Sequence, residues 1–383
     1  MVSVRRAKDV GVYHAMRWRS RLRRYGWNAL SLLPSSASVT QLVPAEGGKV
    51  AAGASFRPLP GVTTRFAVRV DGRCVIELRF GWAFARPARF LRSSLPYAEW
   101  LSFHPNIVQA PPLSALWRRP TTSLPEAVLL RAPWEGNYFH FFDDVLGRLK
   151  LLDEAGVPES VPAIVGGEVF RRPYFQEALR RGVFGARPVV PQDGPIAVAR
   201  LYLCKEAGGR ADAYQFFLDR MEQTASAGAN RHIFLARSAA RGRTLTNEAE
   251  IERLMGELGF EVIDTDALSP AEQWDTFAGA SVVVGAHSAG LANIMFRRGA
   301  PLALLEILPP DGVQVGYNAV DRAKTDYEFL CEAFGFSYRS LTGMQVGELL
   351  HRQQDFAVDA GALREAVRDV IAAVDGRAAS LSR

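Results

Sequence analysis

Ser281-Val282-Val283-Val284-Gly285-Ala286-His287-Ser288-Ala289-Gly290-Leu291-Ala292-Asn293 is the stretch whose reading decides the fold. The run Val282–Val284 has the length and β-branching of a strand buried on both faces, as in a parallel sheet. Gly285, Ala289 and Gly290 let a backbone approach a ligand closely, and a helix starting after Gly290 aims free N–H groups at an anion. Many α/β proteins carry such a unit without a ligand, so the stretch predicts a fold before it predicts a site.

Outward from that stretch the pattern is regular. His232–Ala236, Phe260–Ile263, Ser281–Gly285 and Leu302–Ile307 read as strands. Asn247–Leu258, Ser269–Ala278, Leu291–Arg297 and Asp321–Phe334 read as helices between and after them. Ile251, Leu254, Met255 and Leu258 fall on one helix face, and Ser269-Pro270-Ala271-Glu272 is a capping-box start. This alternation predicts an α/β fold with a doubly wound parallel sheet. Upstream, Arg65–Val70 and Cys74–Phe80 predict a hairpin through Asp71-Gly72. Pro105–Pro125 reads as loop, and a helix is expected from near Asn137 to Glu154. Val161–Val165, Val189–Val190 and Ile196–Leu203 read as strands, with helices near Tyr174–Arg181 and Ala213–Ala225. A last helix, Ala360–Val374, is expected to pack back across both domains.

The 383 residues suffice for two domains, and 48% hydrophobic with 22% charged residues is ordinary for a globular chain. Net charge is +6, yet Lys8, Lys49, Lys150, Lys205 and Lys324 are the only lysines among 46 basic residues. With abundant Ala and Gly, the Arg excess fits GC-rich bacterial coding better than nucleic-acid binding, for which no motif is present. Cys74, Cys204 and Cys331 form no metal or disulfide spacing, which fits a reducing cytoplasm. No apolar run has the length of a spanning helix. Within residues 11–30, Val12, Ala15, Trp18, Leu22 and Tyr25 recur at near-helical spacing among Arg17, Arg19, Arg21, Arg23 and Arg24. That segment suits peripheral contact with an anionic membrane and equally a solvated basic arm.

Two segments carry candidate chemistry. In Trp134-Glu135-Gly136-Asn137-Tyr138-Phe139-His140-Phe141-Phe142-Asp143-Asp144, helical spacing puts Asn137, His140 and Asp144 on one face. An imidazole beside a carboxylate suits proton transfer, and a capped, solvated face is the competing reading. In Arg237-Ser238-Ala239-Ala240-Arg241-Gly242-Arg243-Thr244-Leu245-Thr246-Asn247-Glu248, arginines lie in a strand-to-helix loop, where guanidinium forks suit a diphosphate. Ala286-His287-Ser288-Ala289-Gly290 also approximates a nucleophile elbow, but His351 is the one later His and no oxyanion loop precedes it. Asp264-Thr265-Asp266 is a DxD of the kind that holds metal in some sugar transferases; in a chain with 18 Asp it is weak.

The order of these motifs resembles glycosyltransferase family 61. The matching residues are Asn137, His140 and Asp144; Arg237, Arg243, Asn247 and Glu248; Gly259-Phe260; Glu272-Gln273; Gly285, His287, Ala289, Gly290 and Asn293; and Glu306. Ser288 departs from the family's usual Gly. The resemblance implies a GT-B-like pair of Rossmann-type domains with a cleft between them, and inverting, metal-independent transfer from a nucleotide sugar, usually UDP-linked, with no cofactor. It implies Asp144 as base with His140 beside it, and Asn137 and Asp143 on the acceptor side. Arg237, Arg243, Asn247, Gly285, His287, Ser288, Ala289, Gly290 and Asn293 would line the donor site, with Glu306 accepting from ribose hydroxyls. The acceptor would be a glycan or lipid-linked glycan of a surface polysaccharide, built on the cytoplasmic side of the membrane. The implied division is a basic, irregular segment over 1–60, an acceptor-side α/β domain over 61–228, a donor-binding domain over 229–345 and a helical tail over 346–383. A serine hydrolase built on Ser288 and a non-catalytic nucleotide-sugar-binding relative are the alternatives.

Overall fold

The computed structural model describes residues 29–30, 32–43, 65–86, 89–94, 114, 118–132, 134–206, 209–222, 230–236, 245–310, 324–346 and 355–381. The basic segment over residues 11–30 lies almost wholly outside them. The chain forms two compact units. The first comprises 1–136, 144–172 and 184–207, and the second 137–143, 173–183 and 208–383.

The first unit is built on one mixed sheet. Strands β1 (Ser38–Val43), β2 (Phe66–Ile76), β3 (Ala83–Ala85) and β4 (Arg89–Phe90) pair antiparallel. Strands β5 (Thr122–Leu129), β6 (Ala163–Gly166), β7 (Val189–Gln192) and β8 (Ile196–Lys205) pair parallel, in the order β8-β5-β6-β7, and β2 joins β8 antiparallel. The Rossmann-type sheet expected in this half is therefore present only as a four-stranded parallel part. The sheet curls on itself. The Gln192 amide at the end of β7 donates to the carbonyls of Ile76 and Glu77 at the end of β2, at 3.1 and 3.2 Å. Pairing is interrupted twice, by a bulge in β2 between Asp71 and Cys74 and by a gap at Pro125, which has no N–H to give β8.

That bulge corrects the predicted hairpin. Asp71-Gly72 does not reverse the chain, because β2 runs through it, with Gly72 at φ +130°. Asp71 is held instead by Arg69 and Arg200 at 2.8 and 2.9 Å. The reversal comes later, where the buried Glu77 carboxylate accepts from the N–H groups of Arg79, Phe80 and Trp82. β5 and β1 are strands where the sequence reads as loop or irregular chain. The pattern around Pro125 is that of a turn, and β1 is an edge strand with mostly solvated side chains.

The second unit is a doubly wound parallel sheet, as predicted. Its strands β9 (Arg231–Leu235), β10 (Glu261–Ile263), β11 (Ala280–Ala286), β12 (Ala303–Leu308) and β13 (Ser337–Thr342) lie in the order β10-β9-β11-β12-β13. A small pair, β14 (Met344–Gln345) with β15 (Phe356–Ala357), stands apart. On one face Val282, Val284 and Leu305 pack against Ile251 and Met255 of the helix Glu248–Glu257 and against Leu363, Val367 and Val370 of the helix Ala360–Leu381. The last helix thus completes the core of this unit. Away from that face Trp274 of the helix Pro270–Ala278 stacks on Phe296 at 4.9 Å, and Phe142 meets both rings. The predicted capping box at Ser269 and Glu272 is present.

Candidate functional site

The turn after β11 is shaped by packing as much as by any ligand. β11 is buried throughout and paired on both sides. The ladder extends one residue further, His287 N donating to Ile307 O at 2.9 Å. Ser288 is extended, at φ −157° and ψ 156°, and the chain then enters a 3₁₀ helix, Ala289–Phe296, where an α-helix is predicted. The Asn293 amide donates to the Gly290 carbonyl at 3.1 Å, a local bond that competes with an α-helical ladder. A Cβ on Gly285 would lie 3.0 Å from Leu235 Cβ, and one on Gly290 3.1 Å from Leu235 Cδ2. The small residues therefore admit Leu235 of β9 beneath the turn.

His287 is paired with Glu306. Its Nδ1 lies 2.5 Å from Glu306 Oε1. The other carboxylate oxygen accepts from Thr325 Oγ1 at 2.8 Å and Tyr338 OH at 2.7 Å. Glu306 is 0% exposed and His287 9%. The ribose contact implied for Glu306 is corrected here: the carboxylate has no accessible surface, and both oxygens are occupied from inside the fold. Burial pushes the Tyr338 hydroxyl up and the neighbouring Glu306 carboxylate adds to it, so this group stays a donor.

The segment predicted to carry the base is docked on the same turn. Asn137 caps Tyr138–His140, its side-chain oxygen accepting from Phe139 N and His140 N. Tyr138 OH donates to Asn293 Oδ1 at 2.5 Å and accepts from Trp274 Nε1 at 2.7 Å. Asn293 also donates to Gln273 Oε1 at 3.3 Å. Tyr327 lies between Phe139 and His287, with ring centroids 5.5 and 5.4 Å away, and its hydroxyl donates to Ser288 O at 2.6 Å. Asn137–Asp143 thus belongs to the unit holding the His287 turn, not to the acceptor-side domain expected for it. Winding changes after His140. Phe141–Val145 is a π-helix, a local irregularity frequent at functional sites. Asp144 is buried within it, where the chain leaves the second unit for the first.

Residues 138–304 match the family model described as Glycosyltransferase 61. The match supports a family-61 glycosyltransferase assignment. That family's general activity is glycosyl transfer. No curated protein matches the chain.

Within and beside this family-61 segment, several predicted ligand contacts are structural. Asn293 is 0% exposed and tied to Tyr138, Gln273 and Gly290, so it braces the turn from behind. Asn247 spends its amide on Val358 O and Glu250, and its oxygen on Val358 N, anchoring the chain after β15. Asp143 accepts from Gly209 N at 3.0 Å and Tyr214 OH at 2.6 Å. In the DxD, Asp264 caps a 3₁₀ turn by accepting from Asp266 N. The extended backbone at Ser288 lacks the strain of a nucleophile elbow. His351, Arg237 and Arg243 lie outside the described residues. His287, Ser288, Ala289 and Gly290 therefore remain the donor-side candidates with a described place, and His140 and Asp144 the catalytic ones. Sequence reasoning missed Tyr138, Tyr327, Thr325 and Tyr338. Tyr138 stood inside the motif between Asn137 and His140; the other three carried no local signal.

Proposed function

We propose that this chain transfers a sugar, with inversion and without a metal, from a UDP-type nucleotide sugar to a hydroxyl of a glycan or lipid-linked glycan acceptor. The observation that carries this reading is the docking of the Asn137-capped turn, with His140, on the His287 turn of a parallel sheet. In the strand order β10-β9-β11-β12-β13 the winding reverses between β9 and β11. Open α/β sheets bind ligands outside the carboxyl ends of their strands at such a reversal. The His287 turn and the arginine loop both follow those two strands. A GT-B-like use of the two units is part of the proposal, as are assembly of a surface polysaccharide and work on the cytoplasmic side of a membrane. No helix among the described residues is long and apolar enough to cross a membrane.

The acceptor oxygen attacks the anomeric carbon from the face opposite the diphosphate. Its proton passes to Asp144, with His140 as orienting neighbour. The bond from the anomeric carbon to the phosphate oxygen breaks, and its electron pair leaves with the nucleotide. Arg237, Arg243 and the N–H groups that open the 3₁₀ helix take up that charge. Asp144→Asn should keep donor affinity and lower turnover by about 10²–10⁴-fold, the scale of general-base loss. The test is transfer from a panel of nucleotide sugars, read by mass spectrometry, with donor affinity from calorimetry. Near-normal turnover in Asp144→Asn removes it as base. Failure of every nucleoside diphosphate and nucleotide sugar to bind the full chain overturns the reading as a whole.

A further inference from the structure

Glu306, Thr325 and Tyr338 lie beyond the segment that matches the family, yet they converge behind its His287. Three separate elements supply them: β12, the residue that caps the helix Asp326–Phe334, and β13. Each donor's proton is accounted for. Thr325 Oγ1 accepts from Glu328 N at 3.1 Å as that helix's cap, lies 3.1 Å from Tyr338 OH, and donates to Glu306, whose carboxylate can only accept. Tyr338 gives its proton to the same oxygen. The remaining oxygen, Oε1, is then an acceptor for His287, and a carboxylate acceptor requires Nδ1 to carry hydrogen. Within this set Glu306 and Thr325 are buried, Tyr338 is half-buried on β13, and His287 stands at the carboxyl end of the central strand β11.

Resting on the nucleotide-sugar reading above, we propose that Glu306, Thr325 and Tyr338 are a positioning set that holds His287 as an imidazolium with Nδ1–H on Glu306, so that Nε2–H meets the leaving diphosphate. A carboxylate behind the ring orients it and stabilises the imidazolium that donates from Nε2 as negative charge develops in front. Burying the carboxylate costs least when every lone pair facing the interior has a donor, which explains why two hydroxyls accompany it. No bond to His287 forms or breaks in this step. It supplies a hydrogen bond that strengthens as the leaving group gains charge.

The test uses the full chain labelled with [¹⁵N]histidine; six His residues give a tractable spectrum, and His287→Gln assigns the signal. In the free protein the expected result is a protonated Nδ1 on His287. Addition of UDP should shift its Nε2 resonance. In Glu306→Gln the Nδ1–H signal should weaken and kcat should fall by about 10–100-fold, the scale seen when a ligand-bearing histidine loses its outer partner, with KM changing less. Tyr338→Phe keeps the carboxylate and removes one donor, so it should show a smaller change in the same direction. A persistent single Nδ1–H signal with unchanged kcat in both variants overturns the proposal, as does an unprotonated Nδ1 in the parent. UDP that binds without moving the Nε2 signal overturns the diphosphate contact and leaves the donor reading standing. UDP that does not bind overturns the donor reading together with that contact, and the Nδ1 signal then decides the positioning set by itself.

Discussion

Tyr138→Phe removes one oxygen and leaves the ring, so it creates almost no cavity. That oxygen serves two partners, Asn293 Oδ1 at 2.5 Å and Trp274 Nε1 at 2.7 Å, and both residues are 0% exposed. The space left by a hydroxyl is too small for a water to take over both bonds. Each orphaned group then costs about 1–3 kcal/mol, so two cost roughly 2–6 kcal/mol. At the central value of about 4 kcal/mol, a unit of this size loses about 8–16 °C in Tm. The effect should also reach function, because the same hydroxyl ties the His140 turn to the 3₁₀ helix behind His287. Calorimetric unfolding and urea titration measure the loss. A cycle with Asn293→Ala isolates the pairwise part, expected at about 0.5–3 kcal/mol for groups in direct contact. A loss below about 0.5 kcal/mol, the range of ordinary surface substitutions, would refute the account of Asn293 as a brace satisfied by Tyr138.

Arg243→Ala should weaken UDP binding by about 1.5–3 kcal/mol, the worth of a charge-assisted bond, without lowering Tm; unchanged affinity by calorimetry would remove it from the donor site. Ser288→Gly should keep most transfer activity, and a fluorophosphonate probe should leave Ser288 unlabelled; covalent labelling there would revive the hydrolase alternative. Acid should destabilise the fold through Glu177 and Glu261, whose carboxyls are held below their ordinary range by Arg180, with Arg181, and by Arg231. Their contribution is present above the unfolded value near 4.5 and is lost as pH falls through the lower folded values. Glu177→Gln and Glu261→Gln should therefore flatten the acid limb of stability against pH, and an unchanged limb would show that these pairs contribute nothing.

The sequence by itself determined most of the second unit. Val282–Val284 declares a doubly buried strand because three β-branched residues in a row suit no amphipathic helix and no half-exposed strand. Ser269 and Glu272 declare a helix start because both halves of the capping box lie within one turn. The order of His140, Gly285, His287 and Gly290 was enough to reach the family. These signals are local, and local geometry is what spacing encodes. Only the tertiary structure decided the rest. Asp71-Gly72 became a bulge rather than a turn because β8 pairs with the strand on both sides of it. Asn293 became a brace because Tyr138, 155 positions away in sequence, delivers a hydroxyl to it. Glu306 turned inward to His287 because Thr325 and Tyr338 arrive with donors from two other elements. A buried polar group must find its partner wherever the fold brings one, and no period or spacing in the chain records which segment that will be.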